Sequence, residues 1–458
     1  MKTFKSKKRA AWLMAAVMMG TFTFGGMTMH TTYAAVPTKT LVHDSQMKHA
    51  TIKDLDNDTR VFAVDKTIEA KKVTFQNRYG FDVAGHLYLP KDFDDKKQYK
   101  AVVVTGPFGA VKEQSSGLYA QEMAKNGFVA VAFDPSTTGE SSGKRRNMGS
   151  PEIFTEDYSA AVDFVSNLKF VNPQQIGAIG ICGLSGMAIT AATNDTRIKA
   201  VATSAMYDMS DSIRNHYQGD YYTPEQREIV KHHLAEMRDE EAKTGKSIPG
   251  SHELAVDKDG KVISTKTMFP DKLPADASDV VKGFYDYYVG RAYHPRAINS
   301  NTLAWDSTTP YGFFNFSLME HIKELSPRPL LLITGDKAHS KYFSDAVYAA
   351  ADGPKEEIVV PGATHTDLYD RWTRFPSTAS SRFSTSTSVN DCWKDVPGRR
   401  MFDEQIVLLL LCSDCTSRAG LWRPWSGSHL LVREGGRDAR DRNGIPTSGQ
   451  QSVCSEVG

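Results

Sequence analysis

Cysteine is nearly absent from most of this chain: of five in 458 residues, four (Cys392, Cys412, Cys415 and Cys454) fall beyond residue 371, leaving Cys182 alone in the rest. So sparse a set cannot be a disulfide scaffold. An excess of charge is also missing, since 55 Lys and Arg face 54 Asp and Glu. That balance gives no electrostatic footing for nucleic acid, which is not expected as a partner. Long apolar runs are lacking as well. At 40% hydrophobic and 24% charged, the composition is that of a folded soluble-type domain and excludes a polytopic membrane protein.

The two ends differ from the middle. Lys2, Lys5, Lys7, Lys8 and Arg9 precede an apolar stretch over residues 10–19, and Thr32-Tyr33-Ala34 then offers small residues at the −3 and −1 positions of a cleavage site. That order predicts a secretory signal peptide over residues 1–35, cut near Ala34 or Ala35. Gly20, Gly25 and Gly26 dilute the apolar run, so no stable membrane anchor is expected after cleavage and the mature chain is expected to be secreted or periplasmic. At the other end basic-residue usage switches abruptly. Residues 1–371 hold 31 Lys and 13 Arg; residues 372–458 hold 1 Lys and 10 Arg, with 13 Ser. Little periodicity is visible there, and the tail is expected to lie outside the folded domain, either as a natural extension or as the product of a changed reading frame. Cys412 and Cys415 have the spacing of a zinc half-site without a second pair, so no metal site is expected.

Residues 36–371 read as one domain. Strand and helix patterns alternate, which predicts a parallel sheet with helices on both faces. Expected strands cover residues 72–76 and 82–89 as a leading antiparallel hairpin, then 101–105, 128–133, 176–181, 199–204, 329–334 and 357–360. Helices are expected over residues 118–126, 154–168 and 186–193. Residues 206–321 break the alternation with helical, aromatic-rich sequence, including expected helices over 226–243 and 280–288. They are expected to form a cap over the carboxyl edge of the sheet, where open α/β sheets bind ligands.

The chemistry is carried by one turn. A strand runs into Gly180-Ile181-Cys182-Gly183 and then into a small-residue helix. A nucleophile on such a sharp elbow needs small residues two before it and just after it. Cys182 meets this on both sides. Ser185, in Gly183-Leu184-Ser185-Gly186-Met187, is the alternative nucleophile, though it stands three residues past the strand; a merely buried, structural Cys182 is the third reading. Asp336, at the end of an apolar strand, and His365, 29 residues on, follow in the chain order of acid and base. A thiol beside His365 is expected to exist largely as a thiolate–imidazolium pair. The oxyanion donors are expected to be the backbone N–H groups of Gly183 and Phe108; Pro107 has none to give.

These blocks resemble the α/β-hydrolase superfamily, in a bacterial branch related to dienelactone hydrolases. The resemblance rests on Gly109-Ala110-Val111-Lys112-Glu113-Gln114, Ala132-Phe133-Asp134 with Gly139-Glu140-Ser141, Gly180-Ile181-Cys182-Gly183, Met206-Tyr207-Asp208-Met209, Gly335-Asp336-Lys337-Ala338-His339-Ser340 and Pro361-Gly362-Ala363-Thr364-His365. It implies a mostly parallel eight-stranded sheet and hydrolysis of an ester, thioester, lactone or amide in a small-molecule acyl substrate, without cofactor. The rival from another class is a non-catalytic hydrolase-fold protein that binds a ligand under the cap.

Overall fold

The computed structural model describes residues 47–371. The expected signal peptide and the tail from residue 372 onward lie outside the described residues. Nine strands build one sheet: Ala50–Asp54, Glu69–Gln76, Asp82–Leu89, Tyr99–Thr105, Val129–Phe133, Val171–Ile181, Ile198–Ser204, Leu330–Gly335 and Lys355–Val360. Counted along the chain they lie side by side as 1-2-3-5-4-6-7-8-9. The first three pairings across the sheet are antiparallel, and the remaining five are parallel. This is the α/β-hydrolase fold with one strand more than expected. The additional strand, Ala50–Asp54, is exposed along most of its length and pairs only with its neighbour at the edge.

Apolar β-branched residues make the central strands. Val102, Val103 and Val104 are completely buried, as are Val129, Ala130, Val131 and Ala132, which is the fate of strands covered on both faces. Helices Ser115–Lys125, Pro151–Ser166, Ser185–Asn194 and Lys341–Ala350 pack on the sheet. The second begins at Ser150, whose side chain accepts the Ile153 N–H, with Pro151 at the first helical position. The sequence pattern starts this helix at 154 because its first turn holds no apolar stripe.

Between the seventh and eighth strands the chain forms the expected cap elements. Helix Pro224–Thr244 opens on a capping box of Thr223 and Gln226 and stops at Gly245 in the left-handed region. Helix Asp279–Tyr285 continues into a wider π-helical turn, Asp286–Arg291, broken at Gly290. Arg145 joins this insertion to the body through Asp306, at 2.6 Å, and through Glu241.

Candidate active site

The sixth strand ends at Ile181 and delivers Cys182 with φ 56°, in the left-handed region that a non-glycine residue occupies at a cost of about 1–3 kcal/mol. The flanking glycines are demanded by space. A Cβ on Gly180 would stand 2.5 Å from the Ser185 Cα, and one on Gly183 would stand 2.6 Å from the Phe108 Cβ and 2.8 Å from the Met209 sulfur. The elbow is thus tight although Leu184 and Ser185 follow it. The turn is closed by Ser185 itself, whose fully buried hydroxyl donates to the Gly180 carbonyl at 2.9 Å. Ser185 points back into the turn and stands apart from the groups around Cys182.

The backbone N–H groups of Gly183 and Phe108 act on the Cys182 thiol and draw its pKa down. The Phe108 loop is fixed from the cap. Asn299 Nδ2 donates to the Phe108 carbonyl at 2.7 Å, and the Ile298 N–H donates to Gly109 at 2.8 Å. Gly109 needs its φ of 89° and its missing side chain, since a Cβ there would lie 2.6 Å from Asn299 Oδ1. The Phe108 ring stacks on Trp305 at 4.2 Å and meets His252 at 5.3 Å and Phe313 at 5.8 Å, making an aromatic wall. Beneath the loop, fully buried Lys112 binds Glu113, Asp134 and Glu140 at 2.9, 3.0 and 2.9 Å.

His365 is buried, with Tyr207 and Phe284 rings at 5.1 and 5.3 Å and the His339 ring at 4.9 Å. Its Nε2 meets the Tyr369 hydroxyl at 2.8 Å, and that hydroxyl acts in turn on the Cys182 thiol, drawing its pKa down. Its Nδ1 meets the Ser340 hydroxyl at 2.7 Å. Both partners of the imidazole are hydroxyls that can donate or accept, so the ring is held between Ser340 and Tyr369 in either tautomer.

Asp336 is therefore not the partner of His365 in this structure. It is exposed, and its Oδ1 accepts the Gly362 N–H at 2.7 Å, bracing the loop that carries the histidine. The reason is chain geometry. Asp336 directly follows the strand, where Gly335 packs so tightly on Ala363 that a Cβ would lie 2.1 Å from its carbonyl oxygen. Four more residues bring the chain over the imidazole, and the residue arriving there is Ser340. Asp367 is likewise structural, accepting from the Thr364 N–H at 2.9 Å and from Arg371 at 2.9 Å. His339 pairs with the Tyr207 hydroxyl.

The surroundings favour the neutral thiol and imidazole over the expected thiolate–imidazolium pair. Burial pushes the thiol up to about 12, outweighing the bonds from Tyr369, Gly183 and Phe108 that pull it down. Burial, with His339 beside it, holds His365 well below the usual imidazole range. A neutral hydroxyl at Nδ1 supplies none of the charge that would stabilise an imidazolium.

Tyr369 and Ser340 escaped sequence reasoning. Tyr369 lies four residues after His365, in the short helix Asp367–Asp370 that begins two residues past the histidine, a spacing at which side chains can meet. That spacing was the available signal. For Ser340 there was none, because a lone serine in a loop has no periodicity to mark it. Among the described residues no group of three or more His, Cys, Asp or Glu is placed to hold a metal ion.

A strand–elbow–helix turn under a cap, a buried histidine after the last strand and two backbone donors define an α/β hydrolase, and comparison with known proteins agrees. Residues 80–261 match the family described as X-Pro dipeptidyl-peptidase (S15 family). The uncharacterized protein PA2218 of Pseudomonas aeruginosa is 49% identical over 320 residues, 69% of this chain and 80% of that one. Its crystal structure superposes with a TM-score of 0.64 at 47% identity, covering 71% of this chain and 95% of that chain. The α/β hydrolase GrgF from Penicillium sp. sh18 shares the fold, with a TM-score of 0.52 at 18% identity over 65% of this chain and 91% of that chain. The thiohydrolase aneE of Aspergillus aculeatus is 34% identical over 130 residues, 28% of this chain and 39% of that one. The chain belongs to the α/β-hydrolase superfamily, in one family with PA2218.

Proposed function

We propose that this chain is an exported, cofactor-independent hydrolase of small acyl compounds, with Cys182 as nucleophile and His365 as base. The observation that carries the reading is the elbow: Cys182 is held at φ 56° between Gly180 and Gly183, at both of which a Cβ would collide with the surrounding turn. The sulfur attacks the substrate carbonyl carbon, and the carbonyl electron pair moves onto the oxygen, which the Gly183 and Phe108 N–H groups then hold. Collapse expels the leaving group, which takes the proton that His365 received from the thiol. Water, giving its proton to His365, releases the acid and restores the thiol.

Thioesters and activated esters fit best, with lactones next and amides last. A sulfur nucleophile is itself a good leaving group, so its attack is productive where the substrate's own leaving group departs at least as readily. The thiohydrolase named among the relatives supports the same class. The wall of Phe108, Trp305, His252 and Phe313 supports an apolar or ring-bearing acyl group. The ordered basic, apolar and small-residue segments of residues 1–35 support work outside the cytoplasm.

A panel of aryl esters, acyl thioesters and lactones tests the reading, with mass spectrometry to find the acylated residue. Cys182→Ala and His365→Ala should each lower turnover at least about 10³-fold, and the double variant should be little worse than either. Ser185→Ala should keep its activity if it folds. Acylation found on Ser185, or full turnover in Cys182→Ala, overturns the assignment; binding of acyl ligands without turnover supports a non-catalytic receptor instead.

A further inference from the structure

We infer that Tyr369 is a catalytic residue that carries the proton between Cys182 and His365. The inference rests on the reading of Cys182 as nucleophile and His365 as base. Its first ground is connectivity. The Tyr369 hydroxyl lies 2.8 Å from His365 Nε2 on one side and acts on the Cys182 thiol on the other, drawing the thiol pKa down. The nitrogen expected to take the thiol proton is thus occupied by a group that can both accept and donate.

The second ground is that Tyr369 is held in place. It is fully buried, and its ring meets the edge of Tyr287 at 4.8 Å. The Tyr119 hydroxyl donates to the Leu368 carbonyl at 2.6 Å, one residue away. Arg291 binds Asp370 at 2.8 Å on the other side. A side chain locked from both flanks does not swing aside readily to let imidazole reach sulfur.

The step balances without any co-reactant. The Cys182 S–H bond breaks as its proton moves to the Tyr369 oxygen, and the Tyr369 O–H bond breaks as that proton moves to Nε2. A thiolate and an imidazolium result, and the tyrosine ends neutral. The sulfur's freed electron pair forms the bond to the substrate carbon. The two transfers are concerted, because a buried tyrosinate is strongly disfavoured. When the tetrahedral adduct collapses, the relay runs backwards and protonates the leaving group.

The experiment uses the whole protein and 4-nitrophenyl acetate, following the burst of 4-nitrophenolate that reports acylation of Cys182. Tyr369→Phe, which keeps the ring and removes only the hydroxyl, should slow the burst at least about 100-fold. In the parent protein the burst rate should depend on the deuterium fraction of the solvent with the curvature of two protons in flight; in Tyr369→Phe it should not. Replacement of Tyr369 by 3,5-difluorotyrosine, which preserves the bonds but alters the acidity of the phenol, should change the burst rate and retain the curvature. An undiminished or faster burst in Tyr369→Phe, or a fluorotyrosine protein indistinguishable from the parent, overturns the relay. A burst that survives in Cys182→Ala instead overturns the underlying reading of the nucleophile, so the two failures are told apart.

Discussion

At the scale of single residues, the site is governed by burial more than by charge. Cys182 is 7% exposed and His365 2% exposed, and neither has a carboxylate partner to offset the loss of water. The thiol, raised to about 12, is protonated throughout the neutral range. The sign of the pH dependence follows. Below that value the thiolate fraction grows tenfold with each pH unit, so carboxamidomethylation of Cys182 by iodoacetamide should climb through pH 10 without levelling. A preformed thiolate–imidazolium pair would instead give a plateau by pH 8. The same geometry ranks the hydroxyl at Nδ1 above the carboxylate in the loop. Ser340→Ala should cost about tenfold or more in kcat, since the imidazole loses one of the two hydroxyls that hold it. Asp336→Asn should leave kcat within about threefold and lower the melting temperature slightly, because it loosens only the Gly362 loop. A larger kcat loss in Asp336→Asn than in Ser340→Ala would restore the aspartate to the role its strand-end position suggests.

At the scale of elements, the two donors that act on the thiol come from different loops, and something must hold their spacing. Gly183 belongs to the elbow, whereas Phe108 lies in the loop after the fourth strand, and the two touch closely enough to forbid a side chain on Gly183. Lys112 anchors the far end of that loop to the one following the fifth strand through Asp134 and Glu140. Removing a charge at the centre of a buried cluster leaves its partners uncompensated. Lys112→Met should therefore destabilise the fold by about 3–5 kcal/mol in urea unfolding, more than cavity formation alone would. An unfolding free energy within about 1 kcal/mol of the parent would show that the carboxylates find other partners. Legibility in the sequence varies for physical reasons at this scale. Strands buried on both faces announce themselves as apolar runs, so Tyr99–Thr105 and Val129–Phe133 were readable to within about two residues. The edge strand Ala50–Asp54 was not, because its side chains face water and keep no alternation. The elbow at Cys182 was readable because backbone crowding dictates glycine on both sides. Which group meets His365 depends on how a loop folds back over many residues, and no local pattern records that.

At the scale of the whole molecule, the insertion between the seventh and eighth strands crowds the catalytic turn, where Cys182 keeps only 7% of its exposure. The segment Asp279–Arg291 covers His365 with Phe284 and reaches Tyr369 with Tyr287 and Tyr288. It is fastened near the catalytic turn by Arg291 to Asp370 at 2.8 Å and by Arg371 to Asp286 at 2.9 Å. The segment has a natural point of yielding: Gly290 departs from helical geometry where the π-helical turn ends. Helix Asp279–Tyr285 buries none of its residues, whereas Tyr287 and Tyr288 in the turn after it are fully buried, so the helix is the part of the segment that can lift most readily. The exposed Arg371–Asp286 pair contributes about 1 kcal/mol at most, whereas Arg291 and Asp370 are largely buried and hold the segment more firmly. Arg291→Ala should then speed labelling of Cys182 by N-ethylmaleimide at least about fivefold, more than loss of an exposed pair would. Raising the salt concentration should do the same to the parent protein and much less to the variant. Lys258→Ala, which breaks an ion pair with Asp259 in the solvent-facing part of the cap, should leave labelling unchanged. If Arg291→Ala and the parent label at the same rate at every salt concentration, access to Cys182 does not pass beneath this segment, and the route must open on the opposite wall, between Trp305 and the Phe108 loop.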